Sequence, residues 1–349
     1  MINNSFFSTE ILRWFRENGR DLPWRETKDP YAIWLSEIIL QQTRIAQGWE
    51  YWERFVQTYP KVEDLAAASE DDVLKLWQGL GYYSRARNLH IAAKQIVALG
   101  AFPNTLEGIK SLKGVGDYTA AAIGSFAFDI PAAVVDGNVY RVLSRYFGID
   151  TPINSTQGKK EFAALAQSLL PASDAASYNQ GMMDFGAIQC TPQSPKCLLC
   201  PLAETCEALR CGRVEELPVK NKTVKVKTRH LSYIYIRCKS SAADGAGNSE
   251  PMVAIHRRGE GDIWQGLWEP YNVSDVKELP SFVKNPILLA KDVKHVLTHR
   301  ILLADFHLLE TESRPPLPDD YIWIRESEIE DYGVPRLIEI MLEKINPAE

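Results

Sequence analysis

A glycine turn that leads straight into an apolar, alanine-rich segment constrains this sequence most. Leu112-Lys113-Gly114-Val115-Gly116 has glycines on both sides of one small apolar residue, which predicts a tight turn with accessible backbone N–H groups. A helix is predicted from about Tyr118. Because a helix N-terminus presents free amides and a positive dipole end, the turn suits an anion such as a DNA phosphate. Considered alone, it also fits any tight connection between helices.

Two carboxylates lie in contrasting surroundings. Asp136 comes just before an amphipathic run, where an N-cap is expected, and helix N–H groups together with Asn138 would keep it ionised. Glu37 lies within an apolar helix predicted to begin at Pro30. Burial raises the pKa of a carboxyl, which suits a general acid. A mere helix cap and a Glu on the solvent face of an amphipathic helix are the alternatives.

Four of the six cysteines are clustered, with six, two and five residues between them: Cys190, Cys197, Cys200 and Cys206. A zinc site favours two short CxxC pairs, and a disulfide knot is disfavoured in an intracellular protein, which this chain is expected to be. Four thiolates at uneven spacing in a proline-rich loop can instead wrap one 4Fe-4S cluster. The sequence therefore predicts a 4Fe-4S cofactor.

The 349 residues are enough for two domains. Helical periodicity continues to about residue 215 and then changes to period-two alternation. Strands are predicted at Val224–Ile236, Met252–His256 and Ile301–Leu308, with a hairpin loop at Ser240–Ser249 and a helix at Pro335–Ile345. We expect a helical domain over 1–215, a linker over 216–228 and an α+β domain over 229–349.

The net charge of −6 argues weakly against a nucleic-acid ligand, because such proteins usually carry a basic surplus. Between Lys220 and Lys239, however, there are seven Lys or Arg and no acid. This connector is compatible with DNA contact and equally with a solvated linker. The N-terminus lacks a secretory pattern, and no apolar run is long enough to span a bilayer. We therefore expect a cytoplasmic protein that has no membrane partner.

The glycine turn followed by VVDGNVYRVLSR resembles the helix-hairpin-helix DNA glycosylase superfamily, and the cysteine spacing is similar to that of its endonuclease III and adenine glycosylase branch. The resemblance to adenine glycosylases of the MutY kind covers nearly the whole chain and is strongest over residues 20–206. It implies a mainly α helix-hairpin-helix glycosylase fold with an iron-sulfur loop, followed by a C-terminal α+β Nudix-like domain. It also implies a monomer that hydrolyses the N-glycosidic bond of adenine paired with 8-oxoguanine or guanine in double-stranded DNA, nucleoid-associated while on DNA.

The resemblance assigns catalytic roles to four residues. Glu37 would protonate the departing adenine, and Asp136 would stabilise the oxocarbenium-like sugar, with Asn138 as its partner and Tyr118 near the sugar. Lyases of the endonuclease III type carry a nucleophilic Lys where this chain has Tyr118. Strand cleavage by β-elimination is therefore expected to be weak or absent.

Other positions are assigned to substrate contacts. The adenine pocket would be lined by Arg20, Trp24, Arg25 and Asp184. Gln42 and Tyr82 would wedge into the duplex beside the lesion, although the glycines around Tyr82 also fit a helix junction. The Gly114-Val115-Gly116 turn would grip the phosphate backbone.

The C-terminal region resembles a Nudix module through the segment Trp264–Glu269, but it lacks the paired glutamates that hold Mg²⁺ for hydrolysis. Binding without hydrolysis is therefore expected. Where the family reads 8-oxoguanine with a Phe-Ser-His turn, this chain has Leu297-Thr298-His299, which keeps a hydroxyl and loses the aromatic ring. A pyrimidine-lesion glycosylase/lyase and a non-catalytic lesion binder are the alternative functions.

Overall fold

A computed structural model of the chain describes residues 4–221, 226–239, 250–274, 276 and 278–346. The predicted hairpin loop at 240–249 and the start of the predicted strand at Val224 lie outside the described residues. The chain forms two compact units, Met1–Ala66 with Ile91–Thr223 and Ala67–His90 with Val224–Glu349. None of the described helices combines the length and apolar character needed to cross a membrane.

The part of the chain up to residue 221 is built of helices joined by short loops. They are α1 (Asn4–Asn18), α2 (Pro30–Ile39), α3 (Ile45–Thr58), α4 (Val62–Ala67), α5 (Glu70–Trp77), α6 (Ser84–Leu99), α7 (Leu106–Lys110), α8 (Asp117–Phe128), α9 (Gly137–Phe147), α10 (Thr156–Leu169), α11 (Ala175–Asp184) and α12 (Glu207–Arg210). A π-helical turn, Phe185–Gln189, extends α11, and 3-10 turns occur at Pro23–Arg25, Cys197–Leu199 and Ala203–Thr205.

Helices α2, α8 and α9 fix the geometry of the first unit. Every residue of α2 after Pro30 is buried, which matches its nearly continuous apolar sequence. Ile33 packs with Ala121, Ala122 and Phe126 of α8 in one core cluster. Helix α9 is amphipathic and contributes Val142 and its neighbours to a second cluster with α1 and α10. The three helices thus hold their polar side chains on a rigid frame.

The predicted glycine turn joins α7 to α8. Gly114 has a φ of +80°, a conformation that favours glycine, and Val115 N donates to Leu112 O at 3.1 Å. Gly116 is the N-cap of α8 and has no side chain to cap it. The first amide groups of α8 are therefore left for other acceptors. These two helices and the tight turn between them form the predicted hairpin.

The second unit contains a mixed sheet. Its described strands are β1 (Lys227–Cys238), β2 (Met252–Arg257), β3 (Trp268–Glu269), β4 (Tyr271–Asn272), β5 (Ile287–Val296), β6 (Arg300–Thr311) and β7 (Tyr321–Arg325). The order is β3-β2-β1-β6-β5, with β4 against β1 and β7 against β2. Strands β1 and β6 are parallel, and the other pairs are antiparallel. A 3-10 turn at Glu326–Asp331 and helix α13 (Arg336–Ile345) follow.

Both faces of β1 are covered. Leu231, Tyr233 and Tyr235 belong to one core cluster, which also contains residues of α13, whereas Ile234 and Ile236 belong to another. This explains the run of apolar residues in the strand, since side chains alternate between the faces of a sheet. The predicted fold class, a mainly α region followed by an α+β region, is confirmed.

The sheet contains strands that the sequence analysis did not predict, among them the short strands β3, β4 and β7. Strand β5 was missed because its alternation is broken by bulges between Leu288 and Ala290 and between Ala290 and Val293. Residues 67–90 belong to the same compact unit as the sheet. These residues form α5 and the start of α6. Their helical periodicity carries no information about which other elements they pack against.

Candidate active site

The first unit contains an open cavity of about 640 Å³ between α2, α8 and the start of α9. Most of the residues predicted for catalysis and adenine binding line it together: Arg20, Trp24, Arg25, Glu37, Tyr118, Asp136 and Asn138, with Gln42 among them as well. They come from distant parts of the sequence, and the fold brings them into one site. Gln180 and Met183 of α11 also line the cavity and were not predicted, because nothing in their local pattern distinguishes them from packing residues.

Glu37 lies on α2 and is only 9 % exposed. Tyr118 OH donates a hydrogen bond to its Oε2 at 2.9 Å. Burial raises the pKa of Glu37 from 4.5 to about 7, while the Tyr118 bond and the charge of Arg25 act in the opposite direction and Asp136 raises it further. A carboxyl with this pKa is partly protonated at neutral pH, so it can donate a proton.

Asp136 is the N-cap of α9, as the sequence predicted. Its Oδ1 accepts from Val139 N and its Oδ2 from Asn138 Nδ2, each at 2.8 Å. Burial raises the pKa of Asp136, and these two hydrogen bonds and the charge of Arg141 oppose the rise. Both oxygens of Asp136 therefore accept hydrogen bonds that favour its ionised form, whereas the bond from Tyr118 reaches one oxygen of Glu37. The two carboxyl groups of the cavity differ in environment in the way that an acid and an ionised partner require.

Tyr118 stands at the start of α8. Burial, followed by the charges of Glu37 and Asp136, raises its pKa well above 10. The phenol therefore stays protonated and acts as a hydrogen-bond donor. Its hydroxyl also lies 3.8 Å from Met183 Sδ.

Asp184 was expected in the wall of the adenine pocket, but it lies behind the wall and is fully buried. Its carboxylate accepts from the backbone N and the guanidinium of Arg20, and from Arg25 Nη1 and Nη2 at 2.8 and 2.9 Å. Burial opposes ionisation, yet the hydrogen bonds from Arg25 and Arg20 outweigh it and lower the pKa of Asp184. Asp184 thus holds two cavity-lining arginines in place.

Trp24 forms a flat side of the cavity. Its ring packs edge-on against Trp49 and Trp52, with centroid distances of 5.7 and 5.6 Å. Trp52 in turn donates from Nε1 to Ala32 O at 2.9 Å. The Trp24 ring is consequently fixed by packing before any ligand enters.

The predicted DNA-contacting residues lie at different places. Gln42 is exposed at the cavity mouth and has a φ of +60°. The Gly114-Val115-Gly116 turn is outside the cavity lining; its two glycines are exposed and Val115 is buried. Tyr82 belongs to the second unit.

A second cavity, of about 520 Å³, lies within the second unit. The predicted turn Leu297-Thr298-His299 lines it and connects β5 to β6, with Leu297 N donating to Arg300 O at 2.8 Å. Tyr82 also lines it, and its hydroxyl forms a hydrogen bond with the Thr298 hydroxyl. Trp264 contributes as well. Tyr82, which is predicted to wedge into the duplex, therefore contacts Thr298 in the turn that is predicted to read the lesion.

The four clustered cysteines line one small cavity, together with Arg145. None of the described cysteines forms a disulfide. In the described part of the chain, no group of three or more His, Cys, Asp or Glu is arranged to hold a single metal ion. Four thiols spread around one cavity beside a guanidinium fit a cluster rather than a lone ion.

Helix α9 holds this loop through two buried arginines. Arg145 donates to Thr191 O at 2.7 Å and to Pro192 O at 3.1 Å, and its Nη1 lies 3.4 Å from Cys190 Sγ. Arg141 donates to Cys190 O at 2.8 Å and to Asn138 Oδ1 at 2.7 Å. Their spacing along one helix face is visible in the sequence, but their acceptors are not.

Comparison with known proteins agrees with this geometry. Residues 35–171 match the family model of HhH-GPD superfamily base excision DNA repair proteins, residues 190–206 match the iron-sulfur binding domain of endonuclease III, and residues 247–344 match the NUDIX domain. The predicted 4Fe-4S cofactor is thereby confirmed. The fold and the site define the class: a helix-hairpin-helix DNA glycosylase, which hydrolyses N-glycosidic bonds in DNA.

The chain is 31 % identical to a protein of Buchnera aphidicola subsp. Acyrthosiphon pisum named adenine DNA glycosylase, with 97 % of each chain covered. A protein of the same name from Buchnera aphidicola subsp. Baizongia pistaciae is 38 % identical over 85 % of this chain and 84 % of its own length. A solved structure of a thermostable thymine-DNA glycosylase is 34 % identical with a TM-score of 0.56, covering 60 % of this chain and 97 % of its own. This chain belongs to the adenine DNA glycosylase family.

Proposed function

We propose that this enzyme removes adenine paired with 8-oxoguanine or guanine from double-stranded DNA, and that it does so without cleaving the strand. One observation carries the proposal. A single cavity holds Glu37, whose pKa of about 7 suits an acid, and Asp136, whose two oxygens accept hydrogen bonds that favour its ionised form.

The adenine would enter the cavity after rotating out of the base stack. Trp24 supplies a fixed aromatic side, and Arg20 and Arg25, held by Asp184, supply donors for the base edge. Glu37 gives its proton to a ring nitrogen of adenine. The electron pair of the glycosidic bond then leaves with the protonated base, and positive charge develops on the sugar.

Asp136 would stabilise that charge, since an ionised carboxylate beside an oxocarbenium-like sugar lowers the barrier electrostatically. Asn138 holds one of its oxygens at 2.8 Å. Water then adds to the sugar and loses a proton, which leaves an abasic site. Because Tyr118 occupies the position at which lyases of the superfamily carry a nucleophilic Lys, no Schiff base would form.

The remaining contacts would position the DNA. The Gly114-Val115-Gly116 turn, whose glycines are exposed, would bind a phosphate with the first amides of α8, because a helix N-terminus interacts favourably with an anion. Gln42 and Tyr82 would enter the duplex beside the mispair. The 4Fe-4S cluster would hold the 190–206 loop in a fixed shape. We propose that the enzyme acts as a monomer, with sequence domains at 1–215 and 229–349.

The guanine or 8-oxoguanine opposite the adenine would be read in the second unit. Thr298 offers a hydroxyl on the turn between β5 and β6, and Tyr82 lies against it. The absence of an aromatic ring at Leu297 predicts less stacking with the lesion than a Phe would give.

The test is single-turnover base release from a duplex with adenine opposite 8-oxoguanine, analysed with and without alkali. Nicks that appear only after alkali support the proposal. Glu37→Gln is expected to lower the rate at least about 100-fold while DNA binding is retained, because the acid is lost and the shape is kept. Glu63→Gln, an exposed site on α4, is the matched control and should behave like the unmodified enzyme. Unchanged release by Asp136→Asn would contradict the role given to Asp136.

The 34 % identity to a thymine-DNA glycosylase favours one further candidate substrate, thymine opposite guanine. A duplex with that mispair belongs in the same assay. Release of thymine at a rate equal to or above that of adenine would replace the proposed base specificity, while leaving the glycosylase chemistry intact.

A further inference from the structure

Helix α5 leads directly into the loop that carries Tyr82. In the second unit, residues between the end of β2 and helix α13 contact this helix at both ends. The helix is short, Glu70–Trp77, so its direction depends on these contacts.

Arg257 holds the N-terminal turn of α5. Its Nη2 lies 2.8 Å from Glu70 Oε1 and 2.9 Å from Asp71 Oδ1. Its Nε donates to Gly266 O at 3.1 Å. One guanidinium therefore joins two acids of the helix to the loop before β3, and the acids also complement the positive end of the helix dipole.

Gly266 allows the helix to approach this loop closely. Its φ is +84°, and a Cβ at this position would lie 3.0 Å from Leu74 Cδ1 and 3.3 Å from Glu70 Oε1. A side chain here would press on these two helix side chains, and the positive φ would strain its backbone. The backbone of the loop thus forms part of the seat for α5.

Gln78 holds the other end. It is the C-cap residue of α5, and its Oε1 accepts from Val334 N at 3.2 Å while its Nε2 donates to Glu339. Nearby, Lys75 Nζ donates to Tyr332 O at 3.2 Å. The C-terminal end of the helix is consequently tied to residues that precede or begin α13.

The position of α5 passes on to Tyr82. Trp77, fully buried at the end of the helix, donates from Nε1 to Gly81 O at 2.9 Å. The guanidinium of Arg85 lies over the rings of both Trp77 and Tyr82, at 5.0 and 5.5 Å from their centroids. Tyr82 has a φ of +47°, and its hydroxyl meets Thr298. A shift of the helix would therefore move this hydroxyl away from Thr298.

We propose that Arg257 and Gln78 are positioning residues for discrimination of the base opposite adenine. They clamp α5 at its two ends, so that Tyr82 and Thr298 form one preassembled surface for the lesion. This inference rests on the proposed function, in which Tyr82 and Thr298 contact the mispair. The clamp acts on the choice of opposite base and leaves the chemistry at Glu37 and Asp136 untouched.

The test compares single-turnover excision of adenine opposite 8-oxoguanine and opposite guanine. In the double variant Arg257→Ala/Gln78→Ala, the ratio of the two rates should fall about tenfold, because an exposed ion pair and a side-chain hydrogen bond are lost. The rate opposite guanine should stay within about twofold of its original value, since positioning contributes little there. Lys239→Ala, which removes an exposed ion pair between the residue that follows β1 and Glu310 on β6, is the matched control and should leave the ratio unchanged.

A 2-aminopurine placed beside 8-oxoguanine reports the wedge directly, because its fluorescence rises when a side chain unstacks it. The double variant should lose this signal, and Arg257→Lys with Gln78 intact should retain most of it. Glu70→Gln/Asp71→Asn weakens the clamp from the helix side and replaces the double variant if that protein does not fold. An unchanged ratio and signal in the folded clamp variants would overturn the inference.

Tyr82→Ala and Thr298→Ala separate this failure from failure of the proposed function. If they lower the ratio and the clamp variants do not, only the clamp is wrong. If they leave the ratio unchanged, the proposed lesion-reading surface is wrong, and the clamp inference falls with it.

Discussion

The hydroxyl of Tyr118 donates a 2.9 Å hydrogen bond to Oε2 of Glu37. Burial is the largest influence on Glu37 and raises its pKa to about 7, and the bond from Tyr118 is the largest influence that lowers it. A donor to the ionised carboxylate favours that form. Tyr118 therefore lowers the pH at which Glu37 loses its proton.

Removing this hydroxyl should shift the pH dependence of the reaction. In Tyr118→Phe the pKa of Glu37 should rise above its present value of about 7, because the hydrogen bond from Tyr118 that lowers it is lost. If protonated Glu37 is the acid, the alkaline fall in the single-turnover rate should move to higher pH. A rate profile between pH 5 and pH 9 measures the shift.

Tyr140→Phe is the matched control for this profile. Tyr140 is half-buried on α9 and packs against Phe162, outside the cavity lining. Its profile should coincide with that of the unmodified enzyme. An alkaline limb that stays in place in Tyr118→Phe would show that the hydrogen bond does not control the acid.

Glu37 should also make the stability of the protein fall as the pH rises. Its pKa is raised by folding from 4.5 to about 7, so between these values the folded state binds more protons than the unfolded state. The contribution of Glu37 to the free energy of unfolding is therefore highest below about pH 4.5. It falls through this window and is lower by about 3 kcal/mol above pH 7. Glu37→Gln removes the titration.

Thermal unfolding of the cluster-loaded enzyme at several pH values checks this. The variant should unfold at a higher temperature than the unmodified enzyme at pH 8, and the difference should shrink toward pH 5. Glu63→Gln should show no such pH-dependent difference. A difference that is equal at both pH values would mean that the burial of Glu37 has no energetic cost.

How much of the site the sequence predicted depends on the range of each interaction. The N-cap role of Asp136 and the tight turn at Gly114 follow from neighbours in the chain, and both were predicted correctly. The buried position of Asp184 could not be derived from its neighbours in the chain, because it is set by contacts with Arg25 and Arg20, which lie 159 and 164 residues away. The clamp of α5 by Arg257 was missed for the same reason.

The buried carboxylate of Asp184 predicts a stability effect. In Asp184→Asn, two guanidinium groups keep their places but lose the charge that compensates them. We expect a loss of about 2 to 3 kcal/mol, less than for a completely buried pair because Arg20 retains contact with solvent. Denaturant unfolding at pH 7 measures it.

Asp129→Asn is the control with the same chemical change. Asp129 forms an exposed ion pair with Lys28 at 2.8 Å, and its left-handed backbone tolerates Asn. Its effect should stay within about 0.5 kcal/mol. Equal losses in the two variants would contradict the supporting role of Asp184 behind the adenine pocket.

Arg145 predicts how firmly the iron-sulfur loop is held. Its planar guanidinium is nearly inaccessible to solvent and bonds at once to Thr191 O, Pro192 O and Leu217 O, with Cys190 Sγ at 3.4 Å. In Arg145→Lys the charge remains, but a single ammonium group cannot reach several carbonyls in this geometry. The loop should open more often, and the cluster should be lost to a chelator about tenfold faster, as expected for the loss of one to two net hydrogen bonds.

Iron content per chain and the decay of the cluster's visible absorbance under chelator measure this rate. Arg210→Lys makes the same substitution just beyond Cys206, the last of the four clustered cysteines, where the side chain is exposed and pairs with Glu207. That variant should keep its cluster as long as the unmodified enzyme does. Because Arg145 belongs to the helix that Asp136 caps, loop opening should also lower base release in proportion to the cluster lost. Full activity after loss of the cluster would mean that α9 holds Asp136 without support from the loop.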